Sequence, residues 1–156
     1  MASFFSDITS GLKPKPPEWV SFDDLKFGDL HEGKLPTVFT VTLRNPNAIG
    51  VTLREISMDW RCWDILIGNT QLRLNTQIEK KSLFTVTIPV VLDALAIKEA
   101  LKDHLLNILN DGIITLPLQL NGNVQLRKLG VSVTFPLNVK RFFPFELKKL
   151  LDKVTP

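Results

Sequence analysis

The sequence holds one cysteine, Cys62, and two histidines, His31 and His104. A lone cysteine leaves no internal disulfide, and a chain without a disulfide framework is expected in a reducing compartment. One cysteine and two histidines are too few for a site of spaced His and Cys ligands, so no metal or cofactor is expected. A nucleophilic triad would need a histidine beside a serine or Cys62 and a carboxylate. His31 falls in the turn His31-Glu32-Gly33-Lys34, His104 falls on a helix flank, and Cys62 runs in phase with Met58 and Trp60, which reads as a buried thiol. The eight glycines are scattered through turns and make no phosphate-cradling loop. Asp23-Asp24 lacks the surrounding carboxylates that calcium requires, and reads as a solvated strand end. The residue inventory predicts no enzyme.

Long apolar runs are also missing. The best candidate, Ile88 to Ile97, is broken by Pro89 and Asp93, far short of the roughly 20 residues of a membrane-spanning helix. Met1 to Gly11 lacks a basic region followed by an apolar one, so no signal peptide is expected, and the reading is a soluble, cytoplasmic protein, expected as a monomer. The net charge of +3 is mild, and no dense basic stretch is interleaved with aromatics, so no nucleic-acid partner is expected. Disorder is disfavoured as well, because 44% hydrophobic and 22% charged residues are ordinary globular values. A chain of 156 residues suits one domain that buries roughly two thirds of its unfolded surface.

What is present is mostly strand pattern. Phe4, Phe5, Ile8 and Leu12 have helical spacing, and Lys13-Pro14-Lys15-Pro16-Pro17 forms a stiff connector, so residues 1–19 read as an amphipathic helix and linker. From Val20 the period becomes two. Val20, Phe22, Leu25 and Phe27 suggest a first strand. Phe39, Val41 and Leu43 alternate with Val38, Thr40 and Thr42 in a second, which Asn45-Pro46-Asn47 ends. Ile56, Met58, Trp60 and Cys62 share one face of a third. Gly68-Asn69 reads as a hairpin-like reversal before Gln71 to Thr76. Phe84, Val86 and Ile88 form a fifth strand.

One interior stretch turns helical: Leu95, Ile97, Leu101, Leu105, Ile108 and Leu109, with Asp93 as N-cap and Asp111-Gly112 as stop. Ile114, Leu116, Leu118 and Leu120, then Val131 to Val139, give two more strands, with Pro117 suggesting an edge or a bulge. Residues 144–156 return to helical spacing through Leu147, Leu150, Leu151 and Val154. About seven strands with one apolar face each predict a mainly β fold. The expected form is an immunoglobulin-like or fibronectin-III-like antiparallel sandwich over residues 20–143, with one inserted helix and short terminal helices.

Several pieces in fixed order resemble the WHy domain of the group 2 late embryogenesis abundant proteins. They are Asn45-Pro46-Asn47, Gly50-Val51-Thr52-Leu53, Phe84 to Val90 with its Thr-Val-Thr-Ile-Pro-Val run, Leu120-Asn121-Gly122-Asn123-Val124, and Leu129-Gly130-Val131 with Phe135-Pro136-Leu137. No piece is specific alone; order and spacing carry the likeness. The resemblance implies the sandwich fold, no catalysis, and a role in tolerance of drying, cold or heat by shielding client proteins from aggregation or inactivation through weak contacts.

Two segments are candidate contact sites. Asn45, Pro46 and Asn47 read most plainly as turn chemistry, and alternatively as a surface for water or clients. Phe142, Phe143 and Phe145 with Lys148, Lys149 and Lys153 make a basic, aromatic tail that suits an anionic membrane surface or lipid; the plainer reading is that its leucines cover an open end of the sandwich. The rival functions are therefore a lipid- or membrane-surface-binding module, with an apolar groove between Leu101, Leu105 and the sheet, and an adaptor that binds a protein along a strand edge.

Overall fold

The computed structural model describes residues 14–104 and 112–156. The expected N-terminal helix of Phe4, Phe5, Ile8 and Leu12, and the Leu105, Ile108, Leu109 and Asp111 part of the interior helix, lie outside the described residues. Among the described residues there are seven strands, β1 (Glu18–Phe27), β2 (Lys34–Arg44), β3 (Val51–Cys62), β4 (Ile65–Ile78), β5 (Leu83–Asp93), β6 (Ile113–Lys128) and β7 (Val131–Glu146). Two helices accompany them, α1 (Ala94–Lys102) and α2 (Leu147–Val154).

The alternation read from the sequence becomes the inside of the molecule. Phe39, Val41 and Leu43 of β2, Ile56, Met58, Trp60 and Cys62 of β3, and Leu116, Leu118 and Leu120 of β6 are all buried. Asp93 caps α1, its Oδ1 accepting from the backbone N–H of Leu95 at 3.0 Å and Ala96 at 3.2 Å. α1 buries Ala94, Ile97, Ala100 and Leu101 against the core. β1 is irregular, with register shifts between Trp19 and Ser21 and between Phe22 and Asp24. Asp23 is pinned there by the Ser21 hydroxyl at 2.6 Å and the Thr42 hydroxyl at 2.5 Å, which together hold its carboxyl below the usual range.

All strand pairs are antiparallel, in the order β1-β2-β5-β4-β3-β6-β7, so the strands belong to one hydrogen-bonded sheet. The join between its halves is narrow: β4 and β5 pair only at Gly68↔Leu92 and Asn69↔Val91. There the sheet curls into a half-barrel, and the inner faces of its two flanks meet through Phe39 and Trp60, edge to face at 5.0 Å.

Gly68-Asn69 is therefore not the reversal expected from its composition. The chain reverses at Trp63-Asp64, both with positive φ (47° and 67°), flanked by the Cys62↔Ile65 pair, and Arg61 Nη1 donates to the Asp64 carbonyl at 3.2 Å. Gly68 serves a different need. A Cβ on it would sit 2.8 Å from both Leu92 Cδ2 and the Val91 carbonyl, so only glycine lets β5 approach at the corner. Pro117 lies one residue beyond the last β3–β6 pair, Cys62↔Leu118, where the ladder on that side has ended.

Gly122 is the second close approach. It pairs with Met58 of β3 and Leu137 of β7, and an added Cβ would land on the Ser57 carbonyl oxygen and 2.6 Å from Met58 Cα. Both obstacles are backbone, which cannot rotate away. Gly122→Ala is expected to destabilise the fold by at least the roughly 1–3 kcal/mol typical of overpacking. Gly112→Ala, with open space around it and only a positive φ to satisfy, should cost about 1 kcal/mol. Urea midpoints of the two variants would give the order; an equal or reversed order would contradict the close approach.

Candidate functional site

The Asn45-Pro46-Asn47 turn is built inward. Both asparagines are about 1% exposed. Asn45 Oδ1 accepts from the Asn47 backbone N–H at 2.9 Å and from Asn47 Nδ2 at 2.8 Å. Asn45 Nδ2 donates to the Glu79 carbonyl at 2.9 Å and the Ile49 carbonyl at 3.5 Å. Asn47 exchanges a pair of bonds with Lys15: it accepts from the Lys15 N–H at 2.7 Å and donates to the Lys15 carbonyl at 3.1 Å. Lys81 Nζ closes the set by donating to the Pro46 carbonyl at 2.6 Å. Three separated segments are thus tied together: the N-terminal connector, the β2–β3 turn and the β4–β5 turn. The side-chain nitrogen and oxygen of both amides are bonded internally, and at this turn it is exposed Arg44 and Ala48 and half-buried Pro46 that face outward.

At the other end, the residues of the basic, aromatic tail separate. Phe142, Phe143 and Phe145 lie on β7, which continues to Glu146, and the helix begins only at Leu147. Phe142 is 63% exposed, with Lys140 Nζ 5.6 Å from its ring centre. Phe143 and Phe145 turn inward onto β1, against Phe22 at 5.7 Å and Phe27 at 5.5 Å. α2 buries Leu150 and Val154. Lys148 is exposed; Lys149 stands 3.5 Å from Glu146, and Lys153 3.9 Å from Asp29. Such exposed pairs contribute little to stability. Phe145, Lys149 and Lys153 do come together, as parts of a groove between β1 and α2 that also includes Leu25, Phe27 and Leu150.

Sequence reasoning missed the β1 side of this groove, and it reads Arg141 only as one more basic residue of the tail. Arg141 pairs with buried Leu118, so it occupies an inward register position on β7, and its guanidinium lies 5.1 Å from the Phe22 ring centre. A charge in the slot where Val139, Phe143 and Phe145 alternate was the available signal, because inward cations are a common way to blunt an edge strand.

The residues with chemical potential are otherwise engaged. Burial pushes the Cys62 thiol up to about 12, so it carries no thiolate at neutral pH. The His104 ring stacks on Trp63 at 3.8 Å. His31 stands at the exposed β1–β2 turn, 4.0 Å from Glu32. Among the described residues no group of three His, Cys, Asp or Glu side chains is placed to hold a metal ion, and no helix is long and apolar enough to cross a membrane.

Two outcomes are expected. Asn45→Ala removes the acceptor of two buried donors and the partner of the Glu79 carbonyl, and should cost about 1–3 kcal/mol, whereas Pro46→Ala should cost about 1 kcal/mol or less; chemical denaturation compares them. For Cys62, folding raises an acid's pKa from 9.0 to about 12. The stabilisation is then complete below pH 9 and is lost as pH rises towards 12, because the unfolded chain releases its proton first. The stability of the wild type relative to Cys62→Ala should be flat below pH 9 and fall above it; a flat difference to pH 11 would contradict the burial of the thiol.

Comparison with known proteins fits this architecture. The family described as late embryogenesis abundant protein matches residues 40–141, from the middle of β2 through most of β7. A search of curated proteins returns no match. A solution structure of a protein from Arabidopsis thaliana superimposes with a TM-score of 0.64 at 21% identity, over 85% of this chain and 83% of that one. A crystal structure of a protein from Archaeoglobus fulgidus superimposes with a TM-score of 0.53 at 11% identity, over 81% of this chain and 99% of that one. At these identities the two structures speak for the fold alone. The family match spans well over half of the sequence, including the Asn-Pro-Asn turn, the β5 strand with Pro89 and the β6 glycine, and this chain belongs to the late embryogenesis abundant protein family.

Proposed function

We propose that this protein is a non-catalytic, stress-protective member of group 2 of its family, built on a WHy domain of sandwich type. It acts in the cytoplasm as a monomer and shields client proteins during drying, cold or heat. The carrying observation is the character of the outer faces. Outward positions align in polar rows, Asn69–Asp59–Asn121–Asn138 across β4, β3, β6 and β7, and Gln71–Ser57–Asn123 across β4, β3 and β6, where Pro136 of β7 ends the row. On the other flank Thr42 pairs with Thr85 and Thr40 with Thr87. These are mostly uncharged hydrogen-bonding groups on a rigid support. They hold water well and can exchange it for a client's polar surface without the cost of stripping an ion. Exposed apolar side chains such as Leu83, Leu95, Leu129 and Phe142 add points for weak contact. No nucleotide or metal is needed for such an action, and a buried thiol and a stacked histidine supply no catalytic pair.

The protein should preserve a labile enzyme through drying and rehydration at near-equimolar ratio, better than an equal mass of an inert globular protein. Asn121→Leu and Asn138→Leu, which break one polar row at the surface, should reduce that recovery while leaving thermal unfolding within a few degrees of wild type. Recovery equal to the inert control would remove the shielding role and leave the fold untouched.

A further inference from the structure

β1 and β7 are the two ends of the hydrogen-bonded order, yet they lie face to face. Their seam is closed by side chains: Phe22 and Phe27 on β1 meet Phe143 and Phe145 on β7, with Arg141 over Phe22. Near α2 the seam widens into a groove of about 600 Å³, within the size range of small-ligand sites. Its floor is Leu25, Phe27, Phe145 and Leu150. Directly behind it lies a small, partly enclosed cavity of about 20 Å³ that shares Leu25, Phe27 and Leu150 with the groove and continues inward between Leu101, Leu116 and Leu118 under α1. Among the described residues its lining is hydrocarbon apart from Cys62, which disfavours water there.

Three features make this a site that can open. Parting β1 from β7 separates ring and aliphatic contacts and the Arg141–Phe22 contact, and leaves the paired strands on either side intact. β1 already carries two register shifts. α2 starts without a side-chain cap, held at its first turn by the Leu147 N–H on the Gly112 carbonyl at 2.8 Å. A modest outward move of Leu150 and Phe27 would join groove and cavity into one apolar slot, narrow enough for a single chain. The mouth is charged but balanced: Glu146 and Asp152 face Lys149 and Lys153 on the same rim. A bare anion gains little there, because each lysine has a carboxylate close by. A head bearing both charges matches the rim.

We propose that the β1–β7 seam is a binding site for a single-chain zwitterionic phospholipid, whose acyl chain enters past Leu25, Phe27 and Leu150 while its phosphate meets Lys149 and Lys153 and its amine meets Glu146 and Asp152. The site is separate from the outer faces assigned to client shielding, so either reading can fail alone.

The test is methyl-resolved NMR of the full chain titrated with lauroyl-lysophosphatidylcholine below its micelle-forming concentration. Saturable shifts at the Leu101, Leu118 and Leu150 methyls are expected, with laurate at least about tenfold weaker. Leu25→Trp plugs the groove and should weaken binding by about tenfold or more with the circular dichroism unchanged. Should that variant fail to fold, Lys149→Ala with Lys153→Ala, both on the surface of α2, should weaken binding in its place. Absence of these shifts, shifts confined to the outer faces, adsorption to phosphatidylcholine vesicles without the core methyls responding, or laurate binding as tightly as the lysophospholipid would each overturn the proposal.

Discussion

The corner where β4 meets β5 is the constraint on which the rest depends. Only two residue pairs join the halves of the sheet there, and side chains continue what the ladder drops. Trp60 Nε1 donates to Thr70 Oγ1 at 3.2 Å, and the Thr70 hydroxyl donates to the Pro89 carbonyl at 3.3 Å, so β3, β4 and β5 are linked just beyond the last backbone pair. A residue's N–H and C=O point to the same side of a strand. Pro89, whose carbonyl faces Thr70, therefore lacks its N–H on the side where β4 is already leaving, and the β2 ladder loses nothing. Gly68 allows the approach, Thr70 bridges the gap, and Pro89 ends the pairing. The strands then splay, the sheet curls, and Phe39 and Trp60 are brought into contact at the centre of the core.

The sequence motifs that carry the family resemblance take on physical meaning in the same terms. The Asn-Pro-Asn turn is a knot of internal hydrogen bonds joining three chain segments. The β6 glycine is the place where no Cβ fits against the β3 backbone. The β5 proline marks the corner. Each is a requirement of the curled sheet, so the motifs specify a scaffold. What the scaffold leaves free in this chain is the outward rows of the strands and the seam between β1 and β7.

This division also explains what could be read from the chain before its structure. Strand patterns with one apolar face were legible because their period of two is imposed by the core, and Phe39, Val41 and Leu43 or Ile56 to Cys62 obey it without exception. Asp93 was legible as a cap because the bond is local. The Gly68 error has the opposite origin: Gly-Asn is a strong local turn signal, but the glycine answers a contact with β5, more than 20 residues away. Trp63-Asp64 gave only a weak turn signal: Asp tolerates positive φ, but Trp is not a usual choice there and no glycine accompanies the pair. The tail mixed two structures under one composition. Phe143 and Phe145 are strand residues facing a β1 partner that the order of the chain does not announce, while Lys148, Lys149 and Lys153 belong to the helix that follows.

The shielding role proposed above requires an interior that does not depend on water. Among the described residues, no buried side-chain nitrogen or oxygen lacks a partner, and the buried amides, the Trp60 indole and Thr70 are satisfied by other protein atoms. Internal bonds of this kind strengthen as the surrounding dielectric falls. The ion pairs Lys26–Asp24, Lys149–Glu146 and Lys153–Asp29, at 3.4–3.9 Å, all lie on exposed side chains. On the shielding proposal, drying acts first on the outer rows of Asn, Gln, Ser and Thr, which lose their hydration and become free to hydrogen-bond to a neighbouring protein, while the corner and the Asn-Pro-Asn knot keep the support rigid. The same loss of water also weakens the hydrophobic term that closes the β1–β7 seam. The seam has no ladder to fall back on, and an apolar chain drawn into it would replace the contacts that water no longer enforces.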